Sequence, residues 1–293
     1  MKLLYHYTSI DGLLGMLKDC SKDNPYITMW ATHSMFLNDP TEYKCGKDVC
    51  KRALLEVEDE LEIDENKRIS KSLYNDKKIK SNELSDFIYS TIPEKIEWGF
   101  PYIISLSRSR DSLPMWNTYA HKGQGIALGF NKYSLQKESN IDIKDCCYDD
   151  ISDKKFVQLY TEIKEQFRKL YGNWDNVVEA NIQELIYASN DLKLRDYYLV
   201  IKHKGYKYEK ETRCFATKKK NEESKDVILY RNSNNMIVPY IERKINISCL
   251  NEIFIGPCAN KDRMKYSLTM LLKDKVKDLK RINIESSDIP YLG

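Results

Sequence analysis

Hydrophobic and polar positions change their period along the chain, which separates sheet-rich ends from helical middle segments. Short apolar runs bounded by Gly, Pro, Asn or Asp predict strands. Such runs lie at 3–8, 27–31, 102–106, 125–130, 208–216, 227–230, 236–241, 252–255 and 281–284. Between them, 44–96 and 151–200 carry many charges, with apolar residues at helical spacing. The pattern predicts an α+β fold with helical insertions at about 44–100 and 150–200.

Capping and turn residues predict shorter elements around these segments. Ser9 is placed as the N-cap of a helix whose apolar stripe is Leu13, Leu14 and Leu17. Pro114 marks the start of a helix that carries the MWNTYA motif, and a further helix is predicted at 263–272. The RNSNN motif predicts a hairpin turn between two late strands. Because no linker rich in Gly, Pro or Ser divides the chain, we expect a single domain over all 293 residues.

The composition narrows the class of protein. Lys and Arg together number 47 against 44 Asp and Glu, so the formal net charge is only +3, which argues against a histone-like basic arm. The eight cysteines form no CxxC pair and show no Cys/His spacing suited to zinc. The start lacks a signal-peptide core, and no apolar run reaches the ~20 residues of a membrane helix. We therefore expect a soluble, cytoplasmic protein with reduced thiols.

The first candidate for chemistry is the YHYT motif near the start of the chain. Alternation along a strand puts His6 and Thr8 on one face and Tyr5 and Tyr7 on the other. A His near the end of such a strand can donate a hydrogen bond to a ligand hydroxyl. The alternative is a core His that a backbone carbonyl satisfies.

The second candidate is the segment that joins an SLS strand to the MWNTYA helix. Ser105 and Ser107 share one face of the strand, and Trp116 and Tyr119 lie on the following helix. Together they predict a slot for a planar ring, with aromatic stacking and hydroxyl groups that orient the ligand. The alternative is that the aromatic residues simply pack on the sheet.

The third candidate is the late YEKETR segment. In a strand, Glu209, Glu211 and Arg213 project from the same face. Because unpaired charges are costly in a dry interior, they are expected to line a cleft or the surface. A cleft would allow one carboxylate to grip a sugar hydroxyl or to stabilise developing positive charge. The alternative is a surface ladder of ion pairs worth about 0.5 kcal/mol.

A fourth candidate is the FLNDPTEY turn, where Asn38, Asp39 and Glu42 offer polar side chains. An Asx-type turn that caps the next helix is the alternative reading of these residues.

In their order along the chain, these motifs resemble a bacterial family of unknown function. That family has a YHYT-type start, an FNDPxE turn, an SxS…MWxxYA core and an ExExR strand, and the resemblance runs from residue 3 to about 258. The family in turn looks like a distant branch of the ADP-ribosyltransferase superfamily, which includes DNA-modifying toxins and tRNA phosphotransferases. The resemblance implies an ADP-ribosyltransferase-like split β-sheet core.

The resemblance also implies a role for each motif. His6 would bind a ribose of NAD, the Tyr7 backbone would hold the nicotinamide amide, and Thr8 would contribute to the same NAD site. The remaining NAD contacts would come from Ser105, Ser107 and Tyr119, with Trp116 as the alternative stacking ring. Many such enzymes have Gly where this chain has Tyr7, and a bulky residue there would narrow the nicotinamide slot.

On the acceptor side, the resemblance makes Glu211 the catalytic carboxylate. Glu209 would orient the incoming nucleophile, and the other substrate-binding candidates are Arg213, Asn38, Asp39 and Glu42. A carboxylate bonded to the ribose 2′-hydroxyl would stabilise the oxocarbenium-like state in which the nicotinamide bond breaks.

We therefore expect an NAD-dependent ADP-ribosyltransferase that modifies a nucleic acid or a protein, with NAD as substrate and no metal. A toxin or an anti-phage defence effector is the expected role, with an antitoxin or defence-system partner and no membrane contact. Two other functions fit the residues. One is a catalytically inactive nucleotide-sensing module, and the other is a nuclease with Asp39, Glu42, Glu209 and Glu211 around Mg²⁺.

Overall fold

Contacts within the chain group its residues into two compact units. The computed structural model describes residues 2–39, 42–73, 101–139, 141–172, 197–216, 227–233 and 235–291. The first unit comprises Met1–Leu37, Pro101–Cys146 and Gly205–Gly293, and the second comprises Asn38–Phe100 and Cys147–Lys204. The two predicted helical insertions fall largely within the second unit.

Twelve strands and seven α-helices lie in the described ranges. The strands are β1 (Leu3–Thr8), β2 (Tyr26–His33), β3 (Tyr102–Ser107), β4 (Ile126–Asn131), β5 (Asp142–Asp145), β6 (Cys147–Asp149), β7 (Ile201–His203), β8 (Glu211–Ala216), β9 (Leu229–Ser233), β10 (Met236–Asn246), β11 (Leu250–Ile255) and β12 (Asn283–Ser286). The helices are α1 (Ile10–Met16), α2 (Glu42–Glu60), α3 (Ile69–Leu73), α4 (Leu113–Tyr119), α5 (Lys132–Ser139), α6 (Lys154–Gly172) and α7 (Lys261–Lys275). Short 3₁₀ turns lie at Ser34–Phe36, Glu65–Lys67, Lys204–Glu209, Ile247–Cys249 and Leu279–Arg281.

The α+β class predicted from the sequence is confirmed, as are most of the elements. The RNSNN hairpin is also confirmed, since Met236 pairs with Ser233 across the turn. The strand predicted at 208–216 begins only at Glu211, because a 3₁₀ turn occupies the residues before it. The pattern did not predict β5, β6, β7 or α5, which are short. Of the predicted helical segments, residues 74–100 and 173–196 lie outside the described residues.

The start of α1 follows the capping prediction. The Ser9 side chain accepts a hydrogen bond from the Gly12 N–H at 3.1 Å. Leu13 and Leu17 are buried, as expected, but Leu14 is 48% exposed and was wrongly assigned to the apolar stripe. Leu14 lies about 100° around the helix from its predecessor, which turns it away from the sheet.

The sheet of the first unit forks at β3. β8 pairs antiparallel with β3 over its whole length and occupies one of its edges. On the other edge, β1 pairs only at Tyr5 with Ser107, and β2 pairs at Thr32 with Ile103. Two branches therefore diverge from β3. One runs through β1, β4, β11 and β12, and the other through β2, β10 and β9.

The main core of the first unit lies on one face of this sheet. Apolar side chains from the strands meet those of α1, α5 and α7 in a single cluster. Its members include Leu4, Leu13, Leu17, Ile27, Met29, Ile104, Leu106, Leu128, Phe130, Leu135, Ile253, Leu268 and Leu272. The alternation of β1 places Leu4 in this layer and turns Tyr5 and Tyr7 to the opposite face, where α4 packs.

The second unit is organised around a buried carboxylate. Glu58 of α2 is fully buried and accepts hydrogen bonds from the backbone N–H and the hydroxyl of Ser70 and from the Tyr171 hydroxyl. These bonds tie α2 to α3 and α6. A two-stranded parallel sheet of β6 and β7 belongs to the same unit.

Two further findings concern the whole set of described residues. No helix there has the length and apolar character that a membrane span requires. All eight cysteines are free thiols, and six of them are buried.

Candidate functional site

The floor of the candidate site is Ser105, in the middle of β3. This strand has neighbours on both edges, and its other five residues are buried. Ser105 itself is exposed. α4 covers the adjoining part of this face through Met115 and Trp116, which pack on Tyr5 and Tyr7. The exposed hydroxyl on this interior strand, beside a helix that covers only part of the sheet, marks a part of the sheet face that a ligand can reach.

His6 lies where β1 leaves β3. Its ring is half-buried, and Nδ1 lies 3.3 Å from the carbonyl oxygen of Ser105. Burial lowers the pKa of His6 from its ordinary value of 6.5, although the Ser105 carbonyl acts in the opposite direction. A neutral imidazole facing a carbonyl carries its proton on Nδ1, so Nε2 is left as a hydrogen-bond acceptor. His6 can therefore accept a hydrogen bond from a ligand hydroxyl.

Glu211 opens β8 directly opposite Ser107 on β3. Its side chain is only 5% exposed and is paired with Arg213, which is 1% exposed. The guanidinium donates from Nε to Oε1 at 3.1 Å and from Nη2 to Oε2 at 3.2 Å. This two-point contact fixes the plane of the carboxylate.

Glu209 also lies near the end of β3, but not on the strand face where it was predicted. The prediction that it shares a strand face with Glu211 is wrong, because Glu209 ends a 3₁₀ turn and Lys210 has a φ of 44°. The Glu209 carbonyl accepts a bond from the Ser107 hydroxyl at 2.6 Å. Its buried carboxylate accepts one from the Tyr119 hydroxyl at 2.7 Å. Tertiary contacts thus place Glu209 beside Ser107, which the strand pattern did not foresee.

The two aromatic candidates of α4 have different surroundings. Tyr119 is half-buried, and its hydroxyl is held by Glu209. Trp116 is fully buried, with its ring 4.7 Å from that of Tyr7 and its Nε1 donating to Asp111 at 2.6 Å. Trp116 therefore has no exposed ring face for a ligand, and its surroundings match the alternative reading of core packing. Of the two, Tyr119 is the ring that a ligand can reach.

The remaining predicted residues divide between the two units. Thr8 ends β1, and an added Cβ at Gly12 would lie 2.1 Å from its Oγ1, so α1 packs closely over it. Asn38, Asp39 and Glu42 belong to the second unit, where Asn38 is exposed and Asp39 is buried. In the first unit, strand pairing and hydrogen bonds bring together Ser105, Ser107, Tyr119, Glu209, Glu211 and Arg213 at the end of β3. Alternation along β1 puts His6 and Thr8 on the face of Leu4, opposite that of Tyr5 and Ser107, and His6 reaches β3 through its contact with the Ser105 carbonyl.

Across the described ranges, no group of three or more His, Cys, Asp or Glu residues is placed to hold a metal ion. The four acids of the nuclease alternative are divided between the units, with Asp39 and Glu42 in one and Glu209 and Glu211 in the other.

Arg231 is a residue of this face that the sequence pattern did not single out. It lies on β9 and donates to the Thr32 hydroxyl at 2.9 Å. Its charge contributes to the lowered pKa of His6, after the larger effect of burial and against that of the Ser105 carbonyl. In the sequence, Arg231 stands in the RNSNN motif, which suggested a turn. The sequence feature that could have identified Arg231 is a single positive charge in a strand whose preceding residues are aromatic or aliphatic.

Comparison with known proteins gives one similarity. A family model described as a protein of unknown function (DUF2971) matches residues 115–214. The matched segment contains Trp116, Tyr119, Glu209, Glu211 and Arg213. No curated protein and no solved structure matches the chain. The similarity therefore covers most of α4 and the first four residues of β8, in a family whose description states no activity.

Proposed function

We propose that this protein is an NAD-dependent ADP-ribosyltransferase that uses NAD as substrate and modifies a macromolecule, either a nucleic acid or a protein. The proposal includes an ADP-ribosyltransferase-like split sheet as the catalytic core. The role that the motifs support is that of a toxin or an anti-phage defence effector, with an antitoxin or defence-system protein as partner.

The observation that carries the proposal is the fork at β3. His6 contacts the carbonyl of Ser105, and Glu211 lies opposite Ser107, only two residues further along the same strand. Residues far apart in sequence thus border one short stretch of β3, at the point where Ser105 is exposed. A split in a sheet offers a cleft with polar groups on both sides, which suits a ligand with several hydroxyl groups.

The reaction begins with cleavage of the bond between nicotinamide and ribose. Nicotinamide leaves with the electron pair of that bond, and positive charge develops on the ribose ring. The carboxylate of Glu211 would accept a hydrogen bond from the ribose 2′-hydroxyl and stabilise this charge. Its two-point contact with Arg213 would hold it in place without motion during the reaction.

Transfer is completed when a nucleophile of the acceptor attacks the ribose carbon and releases a proton. Glu209 is the second carboxylate near this position, anchored by Tyr119. In the proposal, it orients the nucleophile or takes up its proton. His6, with Nε2 free to accept, would hold a ribose hydroxyl of NAD.

The test is release of nicotinamide and transfer of label from radiolabelled NAD to host lysate, nucleic acid or protein. Glu211→Gln keeps the size of the side chain but removes its charge, and we expect about a 100- to 1,000-fold slower reaction. The matched control is Glu252→Gln. Glu252 is also buried and also accepts two bonds from one arginine, Arg110, at 3.1 and 2.8 Å.

The control separates loss of catalysis from loss of a buried ion pair. Both variants lose a carboxylate–guanidinium pair, so both should be less stable, but only Glu211→Gln should lose NAD cleavage. Equal activities of the two variants would overturn the assignment of Glu211. Binding of NAD without Glu211-dependent turnover would instead indicate the nucleotide-sensing module.

A further inference from the structure

Arg231 is a half-buried cation for which the described residues offer no anionic partner. Its polar contact is the hydroxyl of Thr32, and its guanidinium carbon lies 5.5 Å from the centre of the Trp30 ring. No carboxylate in the described part of the chain forms an ion pair with it, and its Nε is buried without a hydrogen-bond partner. Glu242, which pairs with Trp30 on the neighbouring strand, is exposed and makes no bond to it.

Such an arrangement is unfavourable for a partly buried charge. A charge that is partly removed from water is normally compensated by an opposite charge or by a full set of hydrogen bonds. Burial lowers the pKa of Arg231 from its ordinary value, as expected for a charge that is partly removed from water. An anionic ligand would supply both the missing charge and an acceptor for Nε.

The strand registers place Arg231 on the same sheet face as the candidate site. Arg231 pairs with Val238, and Tyr240, two residues further along β10, pairs with Thr32. Thr32 in turn pairs with Ile103, two residues before Ser105. Paired residues and residues two apart share a face.

Two aromatic rings border the same surface. Trp30 is 45% exposed, and its ring lies 4.7 Å from that of Tyr240. The exposed side of Trp30 is available for stacking with a base. A cation beside an exposed ring is a combination that suits a nucleotide, which carries both a phosphate and a planar base.

We propose that Arg231 binds a phosphate of the nucleotide that occupies the cleft, with Trp30 as the adjoining surface for its base. The inference deepens the proposed function and rests on it for the identity of the ligand as NAD. It assigns the β2–β10–β9 branch to the phosphate and base, whereas His6 and Glu211 lie on the ribose side.

The test is calorimetric titration with inorganic pyrophosphate, NAD and nicotinamide riboside in magnesium-free buffer. For Arg231→Gln, we expect about 10- to 100-fold weaker binding of pyrophosphate and NAD, and unchanged binding of the riboside, which has no phosphate. Arg263→Gln is the control, because Arg263 is an exposed arginine on α7 and its loss changes the net charge equally. The control variant should bind all three probes like the wild type.

The melting temperature without ligand guards against a misfolded variant. Since no carboxylate of the described residues compensates the guanidinium, Arg231→Gln should melt no lower than the wild type without ligand. Lower melting with unchanged binding of pyrophosphate and NAD would show a structural role and overturn the proposal. Arg231-dependent pyrophosphate binding without NAD cleavage would retain this site but reject the proposed function. Glu211-dependent cleavage of NAD, with unchanged binding of pyrophosphate and NAD by Arg231→Gln, would retain the proposed function but reject this site.

Discussion

Two histidines of the first unit are kept neutral by burial, but their rings are bonded in opposite ways. Burial lowers the pKa of both His6 and His33. Nδ1 of His6 faces the Ser105 carbonyl and therefore donates. Nδ1 of His33 accepts from the Met35 N–H at 3.3 Å, a bond that protonation of this nitrogen would remove. A proton added to His6 enters at Nε2, the atom proposed to face the ligand.

The pH dependence of stability follows from these shifts. A histidine with a lowered pKa in the folded state takes up its proton more readily when unfolded. The stability that the buried neutral ring contributes is therefore fully present when the pH is above the ordinary pKa of 6.5. It is lost as the pH falls through the pKa of the folded state. We expect the free energy of unfolding, measured with urea, to decrease as the pH is lowered from about 7.5 to about 5.

Single replacements apportion that loss. His6→Asn should remove part of the fall, and the His33→Asn variant should remove another part. NAD binding should weaken over the same pH window in the wild type, because protonated Nε2 no longer accepts a hydrogen bond. If the free energy of unfolding of His6→Asn changed with pH as it does in the wild type, the burial of a neutral ring at this position would be contradicted.

The two serines of β3 provide a matched pair on one strand. Ser107 is 1% exposed, and its hydroxyl donates to the Glu209 carbonyl and accepts from the Ser109 N–H at 3.0 Å. Ser107→Ala leaves both groups unsatisfied and should lower the free energy of unfolding by about 1–3 kcal/mol. Ser105 is exposed, so Ser105→Ala should change it by less than about 0.5 kcal/mol.

NAD binding should distinguish the two serine variants in a different way from stability. Ser105→Ala should weaken NAD binding at nearly unchanged stability, because it removes a hydroxyl from the cleft floor. Thermal or urea unfolding and NAD titration of the two variants are the required measurements. If Ser105→Ala destabilised the protein as much as Ser107→Ala, the description of Ser105 as an open floor would be wrong.

At the level of elements, one carboxylate joins three helices of the second unit. Glu58→Ala would orphan the N–H and hydroxyl of Ser70 and the hydroxyl of Tyr171, all of which donate to it. We expect the free energy of unfolding to fall by about 3 kcal/mol or more, since each buried donor without a partner is costly. The measurement is urea unfolding followed by circular dichroism.

Glu56 is the control for that change, because it lies two positions away on the exposed side of the same helix. It accepts from the Tyr160 hydroxyl at 2.8 Å and from Lys164 at 3.1 Å, and its side chain is 51% exposed. Surface pairs of this kind contribute little, so Glu56→Ala should cost less than about 1 kcal/mol. Equal losses from the two alanine variants would show that burial of Glu58 is not what distinguishes it.

For the whole molecule, local patterns predicted elements well and long-range geometry poorly. Ser9 as N-cap, Pro114 in the first turn of α4 and the RNSNN hairpin were all correct, because each depends on a few neighbouring residues. The fork at β3 depends on which strands share an edge, and no local pattern contains that information. The α+β class follows from the elements alone, whereas the fork requires the pairing.

The site shows the same division between local and distant information. The prediction that Tyr5 and Tyr7 share one face of β1 is confirmed, whereas the aromatic spacing of α4 left stacking and packing open. Burial then distinguished Trp116 from Tyr119. The position of Arg231 beside Thr32 could not be predicted, because it depends on pairing between residues about 200 positions apart.

The left-handed backbone at Lys210 bears on how the chain tolerates insertions and deletions. The 3₁₀ turn before it is anchored by the Ser107 hydroxyl, and the strand after it is paired residue by residue with β3. Deleting Lys210 would pull β8 by one position, and a one-residue slip exchanges the two faces of a strand. Arg213 would then face the hydrophobic core to which Cys214 now belongs. The length of this connection is thus constrained by a distant core, even though Lys210 itself is exposed to solvent.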